Sequence, residues 1–346
     1  MKILVYQTAF LGDLILTIPL INAIHKVFNN PEIVVVVRGG LGDLMREQDG
    51  VKEVIEYYKN GRDGGFIPFV NLIKRIREEN FDIVFAPHRS FRTTMIMLFS
   101  GVPERVGFKE SALSFVYTKR VSRTDASHEI EKNLLLLRVM NNSFGMDHDI
   151  LKLKIRDDIY EKVEKKLSEY GVTPHDPVVT VAPGSQWGTK RWLPEGFAEV
   201  ISRLHKEGVK VVLVGSEGDR EIARNIEVSS GYGLINLCGF TSILESAAII
   251  SISRVLLSND SASVHLASLT GTPVVVIYGP TIPAFGFSPY GVEHIIIESK
   301  DLKCRPCSSH GPQKCPEGHF KCMKQISSVE VYTAVKKLLL RYAEKI

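Results

Sequence analysis

The residues most able to do chemistry lie directly after apolar, strand-like runs. The first group is Thr8-Ala9-Phe10-Leu11-Gly12-Asp13, ahead of a helical pattern beginning at about Leu14. Asp13 there is either a helix N-cap or a carboxylate set to act as a general base, and position alone leaves both open. The turn lacks the G-x-G-x-x-G spacing of a dinucleotide site. A second group is Pro183-Gly184-Ser185-Gln186-Trp187-Gly188-Thr189-Lys190-Arg191-Trp192. Its small and hydroxyl residues let a backbone approach a phosphate, and Lys190 adds a point charge, although the order is not that of a Walker loop. A solvated Lys-Arg pair on a structural loop is the bland alternative. The third group, Asp260-Ser261-Ala262-Ser263-Val264-His265, sits at the start of a helix, where free amides and the dipole favour an anion such as pyrophosphate. Asp260 can equally be a cap, and His265 a core histidine.

Further acidic groups follow strand-like runs. Glu217 and Asp219, and later Glu245, are placed where carboxylates hold ribose hydroxyls, with capping the plainer role for Asp219. Between residues 88 and 123 stand Arg89, Arg92, Arg105, Lys109, Lys119, Arg120 and Arg123 against only Glu104 and Glu110. Arg89 and Arg92, nearest the preceding strand, are the candidates for receiving an anionic acceptor; a solvated surface is the ordinary meaning of such charges. Cys304-x2-Cys307-x7-Cys315-x6-Cys322 offers four soft ligands in one short loop, with His310 and His319 nearby. A structural zinc, disulfides and free thiols are all open at that segment.

These groups need elements to hold them. Strands are expected over 2–7, 33–38, 81–86, 151–155, 178–182, 209–215, 234–238, 255–259 and 274–278. Helices are expected over 14–28, 66–79, 158–170 and 328–344. Continuous apolar strands alternating with helices specify an α/β chain with parallel sheets. The Asn141-Asn142-Ser143 break and the polar stretch to Asp176 mark an interdomain region, so two doubly wound domains are expected, over 1–172 and 173–327. Ligands of such sheets bind beyond the carboxyl ends of the strands, which predicts a cleft between the domains.

The 346 residues suit two domains, and 44% hydrophobic with 24% charged residues is ordinary globular composition. A net charge of +4 is too small for non-specific nucleic-acid binding. No window reaches the roughly 18 apolar residues of a spanning helix, and the N-terminus is not a signal peptide. A cytoplasmic protein is therefore expected.

Taken together, the opening 2–19 with Gly12-Asp13, the 182–192 loop, Glu217, Ser258-Asn259-Asp260-Ser261 with His265, and Tyr278-Gly279-Pro280-Thr281 resemble the ADP-heptose:lipopolysaccharide heptosyltransferases, glycosyltransferase family nine. The cysteine loop, with Cys304-x-Pro306-Cys307 and Cys315-Pro316, is similar to that of heptosyltransferase II-type members. Ala262 stands where the family usually has glycine. The resemblance implies a GT-B fold: an acceptor-binding domain, a nucleotide-sugar domain carrying the cysteine loop 304–322, and a last helix, 328–346, packing back on the first domain. It implies an inverting transfer from ADP-heptose to the lipopolysaccharide inner core, with Asp13 as base. Ser185, Gln186, Lys190, Asp260 and Ser261 would meet the diphosphate, Glu217 the ribose, and His265 would complete the donor site. Gly12, Arg89 and Arg92 would face an anionic lipid A-Kdo or heptosylated acceptor at the cytoplasmic face of the inner membrane. No cofactor is required in this scheme, since no D-x-D motif sits in these segments. Two other classes fit the same scaffold: a sugar-nucleotide epimerase or hydrolase, and a non-catalytic ADP-sugar binding module.

Overall fold

A computed structural model describes residues 1–59, 61–141, 148–231 and 234–343. Asn142, Ser143 and Glu344, used in the expectations above, lie outside the described residues. The chain divides into two compact units, Met1–Lys154 and Ile155–Ile346. Among the described residues no helix is long and apolar enough to cross a membrane.

The first unit holds β1 (Lys2–Gln7), β2 (Glu32–Arg38), β3 (Val51–Tyr57), β4 (Ile83–Phe85), β5 (Glu104–Phe108) and β6 (Lys119–Val121) in one parallel sheet, ordered β3-β2-β1-β4-β5-β6. β1 and β2 run Ile3 beside Ile33 through Gln7 beside Val37. The β-branched run from Ile33 to Val37 is buried throughout, as a central strand covered on both faces requires. The expected helix over 14–28 is instead two helices, Leu11–Ile15 and Ile18–Val27. Pro19 has no N–H to give the carbonyl four residues back, so the ladder breaks there. The Thr17 hydroxyl donates to the Asp13 carbonyl at 2.8 Å instead. Residues 151–155 form no strand; Gln48 accepts from the Lys154 N–H at 3.1 Å, and Asn22 donates to the carbonyls of Ile150 and Lys152.

The second unit holds β7 (Val178–Ala182), β8 (Lys210–Leu213), β9 (Ile235–Asn236), β10 (Val255–Asn259), β11 (Val274–Tyr278) and β12 (His294–Glu298), ordered β12-β11-β10-β7-β8-β9 and again parallel. The boundary differs from the expected 172/173. Helix Asp157–Ser168 belongs to the second unit, where Lys162 pairs with Glu245 at 2.8 Å and the Tyr160 hydroxyl accepts from Ser251 at 3.2 Å. The last helix, Ser328–Ala343, also lies in the second unit, where the resemblance put it on the first. It buries Val331, Val335 and Leu338 in that unit's core, beside Phe197 and Ile201 of helix Pro194–Lys206.

In each unit the chain winds outward in one direction and then restarts in the other. The first sheet reverses between β1 and β4, the second between β7 and β10. The crevice at such a reversal is left open by the crossovers, and it is where doubly wound sheets take ligands.

Candidate active site

At the reversal of the first sheet, Phe10 is extended and Asp13 falls in the first turn of helix Leu11–Ile15, next to the half-buried Gly12. Asp13 is therefore not the N-cap of this helix. Its carboxylate acts on two cations, opposing the fall in pKa of both Lys59 and Arg89. Lys59, just past β3, is pushed down by burial and then by Arg38 and Arg92. Arg89, just past β4, is pushed down by burial and then by Arg123. Arg38 ends β2, its guanidinium 5.1 Å from the centre of the Phe10 ring. Cations thus gather from the ends of β2, β3 and β4 near Asp13, with Glu129 and Glu110 also acting on Arg89. Such a cluster of cations at strand ends attracts an anion.

Arg92 lies in helix Phe91–Phe99, stacked 5.2 Å over Tyr57 and 5.1 Å over Phe69, and hydrogen-bonded to the Tyr57 hydroxyl and the Asp63 carbonyl. It is anchored, whereas Arg89 is exposed along its length with only its guanidinium partly desolvated. Beside them His88 lies 2.8 Å from the Thr93 hydroxyl and 3.4 Å from that of Thr8. Burial, then Lys59 and Arg89, push its pKa down to about 4, so the ring is neutral at physiological pH. Arg38 and Lys59 were missed by sequence reasoning; Arg38 is the last residue of the expected strand 33–38, and Lys59 follows β3, which was not recognised.

At the reversal of the second sheet, the loops after β7 and β10 meet. Asn259 stitches them, donating to the Pro183 carbonyl at 2.7 Å and accepting from the Trp192 N–H at 3.0 Å. Gly184 passes directly over Asp219: a Cβ there would stand 2.2 Å from the carboxyl carbon, so a side chain at 184 would force the Asp219 carboxylate to move. Asp219 itself caps, accepting from the Ser216 N–H at 2.9 Å and its hydroxyl at 2.6 Å. Lys190 ends the short turn Gly188–Lys190, and its Nζ lies 2.6 Å from Asp260 Oδ2. The same oxygen accepts from the Thr281 hydroxyl at 2.6 Å. The lysine and aspartate side chains are 13% and 7% exposed, so this is a buried ion pair with a third partner.

Asp260 is thus spent on Lys190 and Thr281. Ser261 is the N-cap of helix Ala262–Thr270, but its side chain caps none of the first-turn amides and meets Ser258 Oγ at 3.1 Å. Those amides and Lys190 face the same reversal. Ser185 accepts from Arg191 Nε through its carbonyl at 2.9 Å, and Gln186 is exposed. His265 is buried, its ring 6.2 Å from that of Phe287. Glu217 is exposed and pairs with Arg220 at 2.6 Å.

The four loop cysteines form no disulfide. Cys307 donates to the Cys304 carbonyl at 3.3 Å, and Cys304 Sγ lies 4.0 Å from His319 Nε2. Cys322 is pushed up to about 11 by burial and then by Cys307 and Cys315. Among the described residues no group of three or more His, Cys, Asp or Glu is placed to hold a metal ion.

This geometry has known counterparts. The family described as glycosyltransferase family 9 (heptosyltransferase) matches residues 69–317, more than half of the chain. Lipopolysaccharide heptosyltransferase 2 of Escherichia coli is 24% identical over 295 residues, covering 82% of this chain and 84% of that one. The structure of a glycosyl transferase family 9 protein from Veillonella parvula superposes with a TM-score of 0.83 at 25% identity, covering 98% of this chain and 97% of that one. That of Escherichia coli ADP-heptose lps heptosyltransferase II has a TM-score of 0.77 at 21% identity, covering 99% of each chain, and agrees with the expected GT-B fold. The chain belongs to glycosyltransferase family 9, the heptosyltransferases.

Proposed function

We propose that the chain is an inverting heptosyltransferase that moves L-glycero-D-manno-heptose from ADP-heptose to the inner core of lipopolysaccharide. The observation that carries this reading is the pair of sheet reversals, one with a carboxylate amid cations and one with a buried lysine beside a helix start. Asp13 accepts the proton of an acceptor hydroxyl as that oxygen attacks the anomeric carbon. The bond from that carbon to the diphosphate oxygen breaks on the opposite face, and the configuration inverts. Charge growing on ADP is met by Lys190, the Ser185 hydroxyl, the Gln186 amide and the amides after Ser261. Asp260 and Thr281 orient Lys190 rather than touching phosphate. Glu217 reaches the adenosine ribose, and His265 supports the helix start from beneath. Gly12 leaves room for the acceptor beside Asp13, and Arg89 and Arg92, joined by Arg38 and Lys59, take its anionic groups. Since lipid A-Kdo or a heptosylated core is a lipid, the chain meets the cytoplasmic face of the inner membrane peripherally.

ADP release from ADP-heptose, with and without a lipid A-Kdo acceptor, tests the reading. Release is expected only with acceptor. Asp13→Asn should lower it by about a hundredfold to ten-thousandfold while ADP-heptose still binds and folding is unchanged. Release without acceptor would make the chain a hydrolase. Near-normal transfer by a well-folded Asp13→Asn protein would take Asp13 out of catalysis.

A further inference from the structure

The cysteine-bearing segment has no part in that chemistry, yet its middle lies along the donor loop. The side-chain amide of Gln313 makes a two-point contact: its Nε2 donates to the Gln186 carbonyl at 3.1 Å, and its Oε1 accepts from the Gly188 N–H at 3.1 Å. One residue earlier, the Pro312 carbonyl accepts from both the N–H and the hydroxyl of Thr189. The rings of Trp187 and His310 stack, 6.2 Å apart and 10° from parallel. The two backbones run so close that a Cβ on Gly188 would stand 2.5 Å from the Gln313 carbonyl oxygen. Residues 186–189 are therefore each held from residues 310–313, and Lys190 is the next residue of the same turn.

We propose that Gln313 is a positioning residue for the diphosphate of the donor: its amide fixes the backbone of Gln186 to Gly188, and so sets Gln186 and Lys190 in place before the nucleotide arrives. The proposal rests on the donor-site reading given above. A loop of glycine and small polar residues loses conformational freedom when it closes on a ligand, and that cost falls on affinity unless the loop is already ordered. Two neutral hydrogen bonds from an exposed side chain supply the order at little expense to the fold.

Two variants separate the hydrogen bonds from the packing. Gln313→Met keeps length and volume but neither bond, and Gln313→Ala removes the side chain as well. Isothermal calorimetry with ADP, steady-state kinetics for both substrates and thermal unfolding would be measured on each. A charge-neutral double variant, Lys190→Met with Asp260→Asn, serves as control. Both Gln313 variants should raise the Kd for ADP and the donor KM by roughly tenfold. The acceptor KM, kcat and unfolding midpoint should hardly move. Unchanged ADP affinity in the Gln313 variants, with affinity lost in the double variant, overturns the positioning role and leaves the donor site standing. Unchanged affinity in all three overturns both. A matched rise in both KM values with a lowered midpoint reduces Gln313 to a general structural contact and also overturns the proposal.

Discussion

Removing Lys190 should damage the fold and the donor site separately, and the two effects can be measured apart. In Lys190→Met the Asp260 carboxylate, 7% exposed, loses its cation and keeps the Thr281 hydroxyl at 2.6 Å. Leaving a buried charge in that condition costs about 3 to 5 kcal/mol. For a unit the size of Ile155–Ile346 this is on the order of a 10 °C fall in the unfolding midpoint. Adding Asp260→Asn removes the stranded charge and should recover most of the loss. Donor binding should not recover, because a charge-assisted contact to phosphate of about 1.5 to 3 kcal/mol is gone, roughly ten- to hundredfold in ADP affinity. Calorimetric unfolding and ADP titration of the parent, the single and the double variant form the assay. The reasoning fails if the single variant unfolds at the parent's temperature, which would mean that solvent reaches Asp260. It fails equally if the double variant binds ADP as the parent does.

At the first unit's cluster, Arg89→Ala should raise the acceptor KM far more than the donor KM, by a factor that shrinks as salt rises; equal effects on both would place Arg89 elsewhere. Arg92→Ala should share that effect and lower the unfolding midpoint too, since each ring it covers contributes about 0.5 to 1 kcal/mol. An unaltered midpoint would refute the anchoring role. His88 should make the unit acid-sensitive. Its pKa falls from 6.5 to about 4 on folding, so its contribution is full above about pH 6.5 and is lost as the pH drops toward 4, by about 3 kcal/mol in all. Urea unfolding across that range, compared with His88→Gln, checks this; parallel profiles would show that His88 is not the titrating group.

The sequence alone determined whatever depends on near neighbours. The apolar run of β2 could be nothing but a strand covered on both faces, and helix Phe66–Glu78 was visible from its apolar spacing. The capping role expected of Asp219 is the one it takes, with Ser216. The family was legible because its loops follow strands, and a strand end is a local signal. β3 was not legible, since Lys52, Glu53 and Glu56 break its apolar run and only its pairing with β2 makes it a strand. With it went Lys59, one of the four cations near Asp13. Strand order, and therefore the two reversals, is a property of crossovers that periodicity does not record. The Lys190–Asp260 pair joins residues 70 positions apart, and Gln313 reaches 127 positions back to Gln186. Contacts of that separation exist only once the sheet has brought its strand ends together. That is why the tertiary structure, and not the local sequence, decided that Asp260 serves Lys190 rather than capping a helix, and that Pro312 and Gln313 lie against the loop 186–189.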